Sequence, residues 1–378
     1  MTRNKLAIIG ASELQNPLIL KAREMGIETH VFAWEAGDVG ETTADYFYPI
    51  SIIEKEAILE KCQEIGIDGV TTIASDLATV AMCYVSNHMG LSGNSLECNK
   101  VSTNKHDMRL CFEEHHDSSP KSVLVSSIDD LAGVDLTYPV IVKPLDRSGS
   151  RGITKVERDS ELAAAIEAAK SEGFEKKALV EEYATGQEYS VEYVSYGGKH
   201  HFLAMTRKYT TGAPHFIETG HIQPSGVTED MIKKVQQVVS HALDSLGVTV
   251  GASHSEVKID DAGNIKIIEI GARMGGDFIG STLVKLSTGV DFLQAVIECA
   301  LGQEPDIPKD RDSRAAAVRY IFDNSDIAMY HRVLAEHPEY IYEASVPETV
   351  SGDVSDSSAR FGYFIMSADK AEDLEVYL

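Results

Sequence analysis

Three short apolar runs, KLAII (5–9), THVFAWE (29–35) and DGVTTIAS (68–75), alternate with two helix-like stretches over the first 75 residues. Parallel strands need a crossover connection of about a dozen residues or more, usually a helix. The alternation, with short turns between its members, therefore predicts a parallel α/β sheet with helices on its faces. In the first helical stretch Leu14, Leu18, Ala22 and Met25 share one face, and Gly26 stops it. KEAILEKCQEIG (55–66) supplies the second. A dinucleotide site would be the natural use of such a sheet. The first turn, however, reads GASELQNP (10–17), without the glycines that let backbone approach a pyrophosphate. Trp34 is the sole tryptophan and is expected to pack beneath this sheet. Ser75 and Asp76 end the third run, where open α/β sheets place ligands; a plain helix N-cap is the alternative.

Near residue 115 the pattern changes. EEHHDSSPK (113–121) is polar, contains a proline and lacks helical periodicity, so it reads as a linker. Beyond it the chain reads as α+β. YPVIVKP (138–144) is a strand, and SELAAAIEAAKSEG (160–173) is an alanine-rich helix with Ser160 as its N-cap. QEYSVEYVSYGG (187–198) alternates and turns into HHFLAMTRKY (200–209), a hairpin signal. A helix over about 229–246 precedes two alternating strands that flank Asp-Asp-Ala-Gly-Asn, a second hairpin. RAAAVRYIF and RFGYFIM mark strands in the tail, around a short helical piece.

The formal net charge of −25 argues against broad binding of nucleic acid or anionic membranes, while leaving room for a local cationic pocket. Five cysteines, an odd number with no C-x-x-C spacing, fit free thiols in a reducing compartment. The N-terminal MTRNKLAIIGASE reads as a first strand and not as a signal peptide, and no apolar stretch reaches about 18 residues. A soluble cytoplasmic protein is the expectation.

Two segments look built for chemistry. YPVIVKPLDRSGSRGI (138–153) places Lys143 on a strand and follows it with a loop of serine, glycine and arginine. It matches neither G-x-x-x-x-G-K-[ST] nor G-x-G-x-x-G. Its backbone N–H groups and hydroxyls could still fold over phosphates as a lid. In the second hairpin Glu256 and Glu269 lie in opposite strands, where period-two alternation can bring both carboxylates to one face. Solvated strand glutamates are the plainer reading. Adjacent carboxylates repel unless a cation lies between them, and hard oxygen donors beside phosphate suit Mg²⁺. GARMGGD (271–277) follows directly, with an arginine among glycines where an anion could approach backbone. ALVEEYATGQEYSVE (178–192) adds an apolar strand with acidic residues where the chain should turn.

Taken in this order, these segments resemble the ATP-grasp superfamily of carboxylate–amine ligases over nearly the whole chain. The resemblance implies an N-terminal Rossmann-like parallel sheet (residues 1–115), a small subdomain with a glycine-rich lid (116–190) and a large subdomain with the metal site (191–303). A strand-rich C-terminal extension (304–378) follows. It implies that Lys105 and Lys143 contact ATP, with Ser148, Gly149, Ser150 and Gly152 in the lid. Glu181, Glu182, Tyr183 and Ala184 would form the adenine hinge, and Glu188 would hold ribose. Glu256 and Glu269 would bind Mg²⁺, or Mn²⁺ in its place, and Arg273 would sit near the transferred phosphate. Many members carry Glu-x-Asn at the second metal position; here the string is Glu269-Ile270-Gly271, so the number of ions is open. IIEIGARMGGD, with HSEVK before it, looks closest to the dipeptide-forming amino-acid ligases. FIETGHIQPS (216–225) is similar to their E-x-x-H segment, giving Glu218 and His221. Small-molecule carboxylate and amine substrates are implied, with no nucleic-acid or membrane partner, and a homodimer is an assembly the resemblance allows. A carboxylating or purine-pathway relative and a non-catalytic ATP sensor are the alternatives.

The remaining candidates read as structural. His115-His116 and His200-His201 are adjacent pairs, not the spacing that puts two imidazoles on one helix face. Cys111 has no basic neighbour that would mark it as a nucleophile.

Overall fold

The computed structural model describes residues 3–147, 151–213, 216–308 and 314–378. The first unit runs β1 (Lys5–Ile9), α1 (Asn16–Glu24), β2 (Glu28–Phe32), α2 (Val39–Thr43), β3 (Tyr46–Tyr48), α3 (Lys55–Ile65), β4 (Gly69–Thr71) and α4 (Asp76–Met89). Its strands form the expected parallel sheet in the order β3-β2-β1-β4. Both faces are covered, which is why the strands read as unbroken apolar runs. Leu6, Ile8 and Val31 pack on one face with Leu18, Ile19 and Ala22 of α1. Ala7, Ile9 and Phe32 pack on the other with Ile58, Cys62, Ala78 and Val85 of α3 and α4. Leu14 precedes α1 and is 37% exposed, so the buried face of that helix is narrower than its pattern suggests. Trp34 does not lie beneath the sheet: it sits beyond the end of β2 and is 72% exposed.

Helices α5 (Leu96–Thr103) and α6 (Lys105–Glu114) lead out of this unit. A four-stranded antiparallel sheet follows, built from β5 (Ser122–Val125), β6 (Val140–Pro144), β7 (Thr154–Val156) and β8 (Ala178–Glu182), ordered β5-β8-β6-β7. It packs on α7 (Asp159–Glu172). That helix begins one residue before Ser160, and Arg158 occupies the cap position without a side-chain bond, so Ser160 is not its N-cap.

The third unit contains β9 (Gln187–Tyr196), β10 (Lys199–Thr210), β11 (Glu218–Gln223), α8 (Glu229–Ser245), β12 (Gly251–Ile259) and β13 (Ile265–Gly271). A π-helical turn (Ile279–Leu283), α9 (Val284–Thr288) and α10 (Phe292–Ala300) follow. The tail adds β14 (Ala315–Ile321), α11 (Asn324–Glu336), β15 (Ile341–Ser345), β16 (Gly362–Ala368) and α12 (Ala371–Glu375). The strands of this unit and the tail form one eight-stranded sheet, β13-β12-β9-β10-β11-β14-β16-β15. Both predicted hairpins are present, β9/β10 and β12/β13. The five cysteines are free, and among the described residues no helix is long and apolar enough to cross a membrane.

Gly186 joins the two antiparallel sheets. Its φ is +103°, and a Cβ there would lie 2.1 Å from the carbonyl oxygen of Ile259. Gly186→Ala should therefore destabilise the protein by at least about 2 kcal/mol, read from the urea midpoint.

Candidate functional site

Cross-strand register builds the site. Glu256 lies opposite Glu269 on one side and Ser190 on the other. His254 lies opposite Gly271 and Glu192, and Lys258 opposite Glu188. Partners across a ladder project to the same face. One face of β13-β12-β9 therefore collects Glu188, Glu192, His254, Glu256, Lys258 and Glu269. The alternate residues Tyr189, Val191, Tyr193, Val257 and Ile267 form a core on the opposite face with Val235, Val239 and Leu243 of α8. The two expected carboxylates stand side by side because a bulge makes Ile268 an extra residue of β13: Val257 faces Ile267 while Glu256 faces Glu269. Unbroken alternation from the turn would have put Glu269 on the core face with Ile267.

Buried cations meet these acids. Lys105, the first residue of α6, donates to Glu269 Oε1 (2.7 Å) and to the Arg147 carbonyl (2.9 Å). Burial works against its charge, but Glu269 and Asp76 outweigh it and hold its pKa above the usual lysine value. Lys208 on β10 places Nζ 2.5 Å from Glu256 Oε1, 2.9 Å from Glu188 Oε1 and 3.5 Å from Glu218 Oε1. Against burial, those three carboxylates raise it well above the ordinary lysine range. Glu256 is correspondingly held well below the carboxylate range by Lys208 and His254, although burial opposes this. His254 Nδ1 lies 2.5 Å from Oε1 of the fully buried Glu192, and Nε2 lies 3.6 Å from Glu256. Burial lowers its pKa, yet Glu192 and Glu256 push it up to about 9.

Lys143 on β6 lies 2.6 Å from Glu181 Oε2, and Arg109 Nε lies 2.9 Å from Glu181 Oε1. Arg109 also donates to the Ile268 carbonyl at 2.6 Å. Burial, with Arg109 and Lys105 nearby, lowers the Lys143 pKa despite Glu181. The Glu181 side chain is thus spent on ion pairs. Glu182, Tyr183 and Ala184 line the cavity beside it, together with Glu188, Lys258 and Phe216. Tyr183 carries Lys155 and Lys258 over its ring, at 4.6 and 5.3 Å.

Arg273 forms a two-pronged pair with Asp76, Nε to Oδ1 at 2.8 Å and Nη2 to Oδ2 at 2.9 Å. Ser75 Oγ accepts from the Ala78 N–H and caps α4, as the N-cap reading expects, while Asp76 lines the cavity. Glu218 and His221 come to one face through a bulge. Thr210 faces Glu218, Tyr209 faces Gly220 and Lys208 faces His221, so Thr219 is the extra residue. Glu218 lines the cavity and accepts from Ser357 Oγ at 2.6 Å. His221 is fully buried outside the cavity lining, with Nε2 3.4 Å from Asp277 Oδ2. Arg360 grips the same Asp277 at 2.6 and 3.0 Å.

One cavity therefore gathers Lys105, Lys143, Glu181, Glu182, Tyr183, Ala184, Glu188, Glu218, Glu256, Glu269 and Arg273. Gly152, with φ +68°, lies near Glu172 and Pro144, outside that lining. Ser148, Gly149 and Ser150 fall outside the described residues. Among the described residues no three or more His, Cys, Asp or Glu side chains form a metal-ligating group. Lys208 and His254 escaped the sequence reading. The signal for both was position: His254 is two residues from Glu256 in one strand, and Lys208 lies in the strand that pairs with the one bearing Glu188.

Residues 136–281 match the family model described as the ATP-grasp domain. That stretch of the chain is thus similar to the ATP-grasp domain. The alanine–anticapsin ligase of Bacillus subtilis is 26% identical over 309 residues, 72% of this chain. The match spans 65% of that relative's own length. The crystal structure of an L-amino acid ligase from Bacillus licheniformis superposes with a TM-score of 0.86 at 22% identity, covering 100% of this chain and 97% of that one. A phosphoribosylglycinamide synthetase from Anaerococcus prevotii shares the fold with a TM-score of 0.78 at 20% identity, over 99% of this chain and 96% of that one.

Two outcomes follow from the buried charges. Arg109→Leu leaves Glu181 short of a partner and should cost about 3–5 kcal/mol in unfolding experiments. The folded-state pKa of His254 is raised from 6.5 to about 9, so its ion pairs contribute fully below 6.5 and are lost as pH rises through about 9. A ring-proton NMR titration should show a midpoint near 9 that falls in Glu192→Gln.

Proposed function

We propose that the protein is an ATP-dependent carboxylate–amine ligase that joins two small molecules through an amide bond, with an amino acid as one substrate. The observation that carries this reading is the Glu256–Glu269 pair, which shares a cavity with Lys105, Lys143, Lys208 and Arg273. Phosphoryl transfer asks for positioning and charge neutralisation more than for a protein nucleophile, and this set supplies both. The similarity to ligases named for amino-acid substrates supports the substrate class.

In this reading adenine lies along the Glu182–Ala184 backbone and ribose at Glu188, with Lys105 and Lys143 on the phosphates. The side-by-side carboxylates Glu256 and Glu269 are hard oxygen donors that fit Mg²⁺, with Gly271 leaving the remaining positions to phosphate and water. Bound there, the ion would neutralise phosphate charge. The substrate carboxylate attacks the γ-phosphorus, the bond to the ADP oxygen breaks, and an acyl phosphate forms. The amine then attacks the carbonyl carbon, phosphate leaves, and the ammonium proton passes to solvent. Arg273 stabilises negative charge on the transferred phosphate and on the tetrahedral intermediate. Glu218 faces the amine, and His221 with Asp277 and Arg360 fixes the segment that carries it.

ADP release across pairs of amino acids, with the product mass confirming an amide, is the deciding measurement. Arg273→Ala should lower turnover about 10²–10³-fold. Glu269→Gln should abolish Mg-dependent ADP formation. ATP binding without turnover on any acid would overturn the proposal.

A further inference from the structure

A second cleft, about 750 Å³, opens at the carboxyl ends of β1, β2 and β4. Leu14, Trp34, Ile53, Leu77 and Phe174 line it, and they are 37, 72, 65, 41 and 62% exposed. Single exposed apolar residues are ordinary; several gathered round one concavity mark a binding surface. These come from five separate segments: the β1–α1 loop, the end of β2, the β3–α3 loop, α4 and the loop after α7. No local sequence bias accounts for their convergence.

The cleft is amphiphilic. Asp76, Lys105, Arg147 and Glu269 line both it and the nucleotide cavity, so the two spaces meet at a charged wall. In that wall Asp76 is taken by Arg273 and Glu269 by Lys105. Among the described residues Arg147 has no carboxylate partner and its buried Nε has no hydrogen-bond acceptor; its guanidinium lies 4.7 Å over the Phe174 ring. Arg151 adds a further cation. An anion at this wall with an apolar body in the cleft would satisfy both surfaces.

We propose that this cleft binds the acid substrate, and that the acid carries a large apolar side chain packed against Trp34, Ile53 and Leu77, with its carboxylate at Arg147 and Lys105. The inference rests on the ligase reading and deepens it by naming a substrate class.

Trp34 is the only tryptophan in the chain, so its emission reports directly on the cleft. With a non-hydrolysable ATP analogue present, titration with L-leucine or L-phenylalanine should give a saturable blue shift, and L-alanine or L-aspartate should not. Equal shifts with all four, or none, overturn the inference. Turnover is read separately by trapping the acyl phosphate with hydroxylamine. The nitrogen attacks the carbonyl carbon, phosphate leaves and a hydroxamate forms. Leucine or phenylalanine should be favoured over alanine and aspartate. Trp34→Ala and Ile53→Ser should each raise KM for the apolar acid about tenfold or more, while moving KM for ATP far less. ATP turnover confined to small or polar acids overturns this inference alone. Absence of turnover with every acid overturns the ligase reading, and the inference with it.

Discussion

Glu256 and Glu269 face each other across β12 and β13, and this juxtaposition sets the demands that the rest of the site meets. Two carboxylates on opposed strands stand about 5 Å apart at their Cβ atoms. At an effective dielectric of about 20 their repulsion is about 3 kcal/mol, too much to leave uncompensated in a cavity. Compensation comes from outside the hairpin. Lys208 reaches Glu256 from β10, and Lys105 reaches Glu269 from the start of α6. Lys105 and Arg109 are four residues apart on that helix and so share a face. Arg109 binds the Ile268 carbonyl on β13 and Glu181 on β8. One helix face thus fixes the hairpin and the middle sheet together, and Lys143 joins through Glu181.

Much of this was legible in the sequence, and what was not has a physical reason. The parallel sheet followed from apolar runs covered on both faces. The hairpin followed from the Asp-Asp-Ala-Gly-Asn turn, because a turn is local, but the facing of Glu256 and Glu269 depends on the extra residue Ile268, which counting back from the turn does not reveal. Cross-strand neighbours from separate hairpins are not local, and so Lys208 and the Glu192–His254 pair went unread. Thr219 shows the limit sharply. Without a bulge, residues three apart in a strand face opposite ways, so no count of positions would have put Glu218 and His221 on one face. Trp34 failed for a different reason. Burial of a lone tryptophan is a sound expectation for a core, but Trp34 lines an open cleft at the carboxyl edge of the sheet, where that expectation reverses.

The Arg273–Asp76 pair gives the site its second dimension. Arg273 follows β13, and Asp76 opens α4 in the first unit. The pair therefore ties the hairpin to the carboxyl edge of the parallel sheet, where a ligand cleft is expected from topology alone. Burial opposes both charges, yet each partner holds the other ionised: Asp76 lies below the usual carboxylate range and Arg273 above its own. On the proposed reading, this ionic strut keeps the two cavities in register, as phosphoryl transfer between occupants of adjoining spaces would require.

The same ledger of charge bears on how a nucleotide could be accommodated. Lys105, Lys143, Lys208 and Arg273 are each already engaged by a carboxylate of the protein. They fix the geometry of the cavity, but their charge is largely spent before any triphosphate arrives. Phosphates entering beside Glu256 and Glu269 would add negative charge to a wall that is close to balanced. On the proposed reading, neutrality has to be supplied with the ligand, by a divalent cation taking the place of lysine at the paired carboxylates. Lysines that hold the acids ionised and in place until then, and can turn to phosphate afterwards, suit that exchange. A cluster built only to stabilise the fold would be cheaper as apolar packing, since a buried ion pair rarely outperforms hydrophobic residues of the same volume.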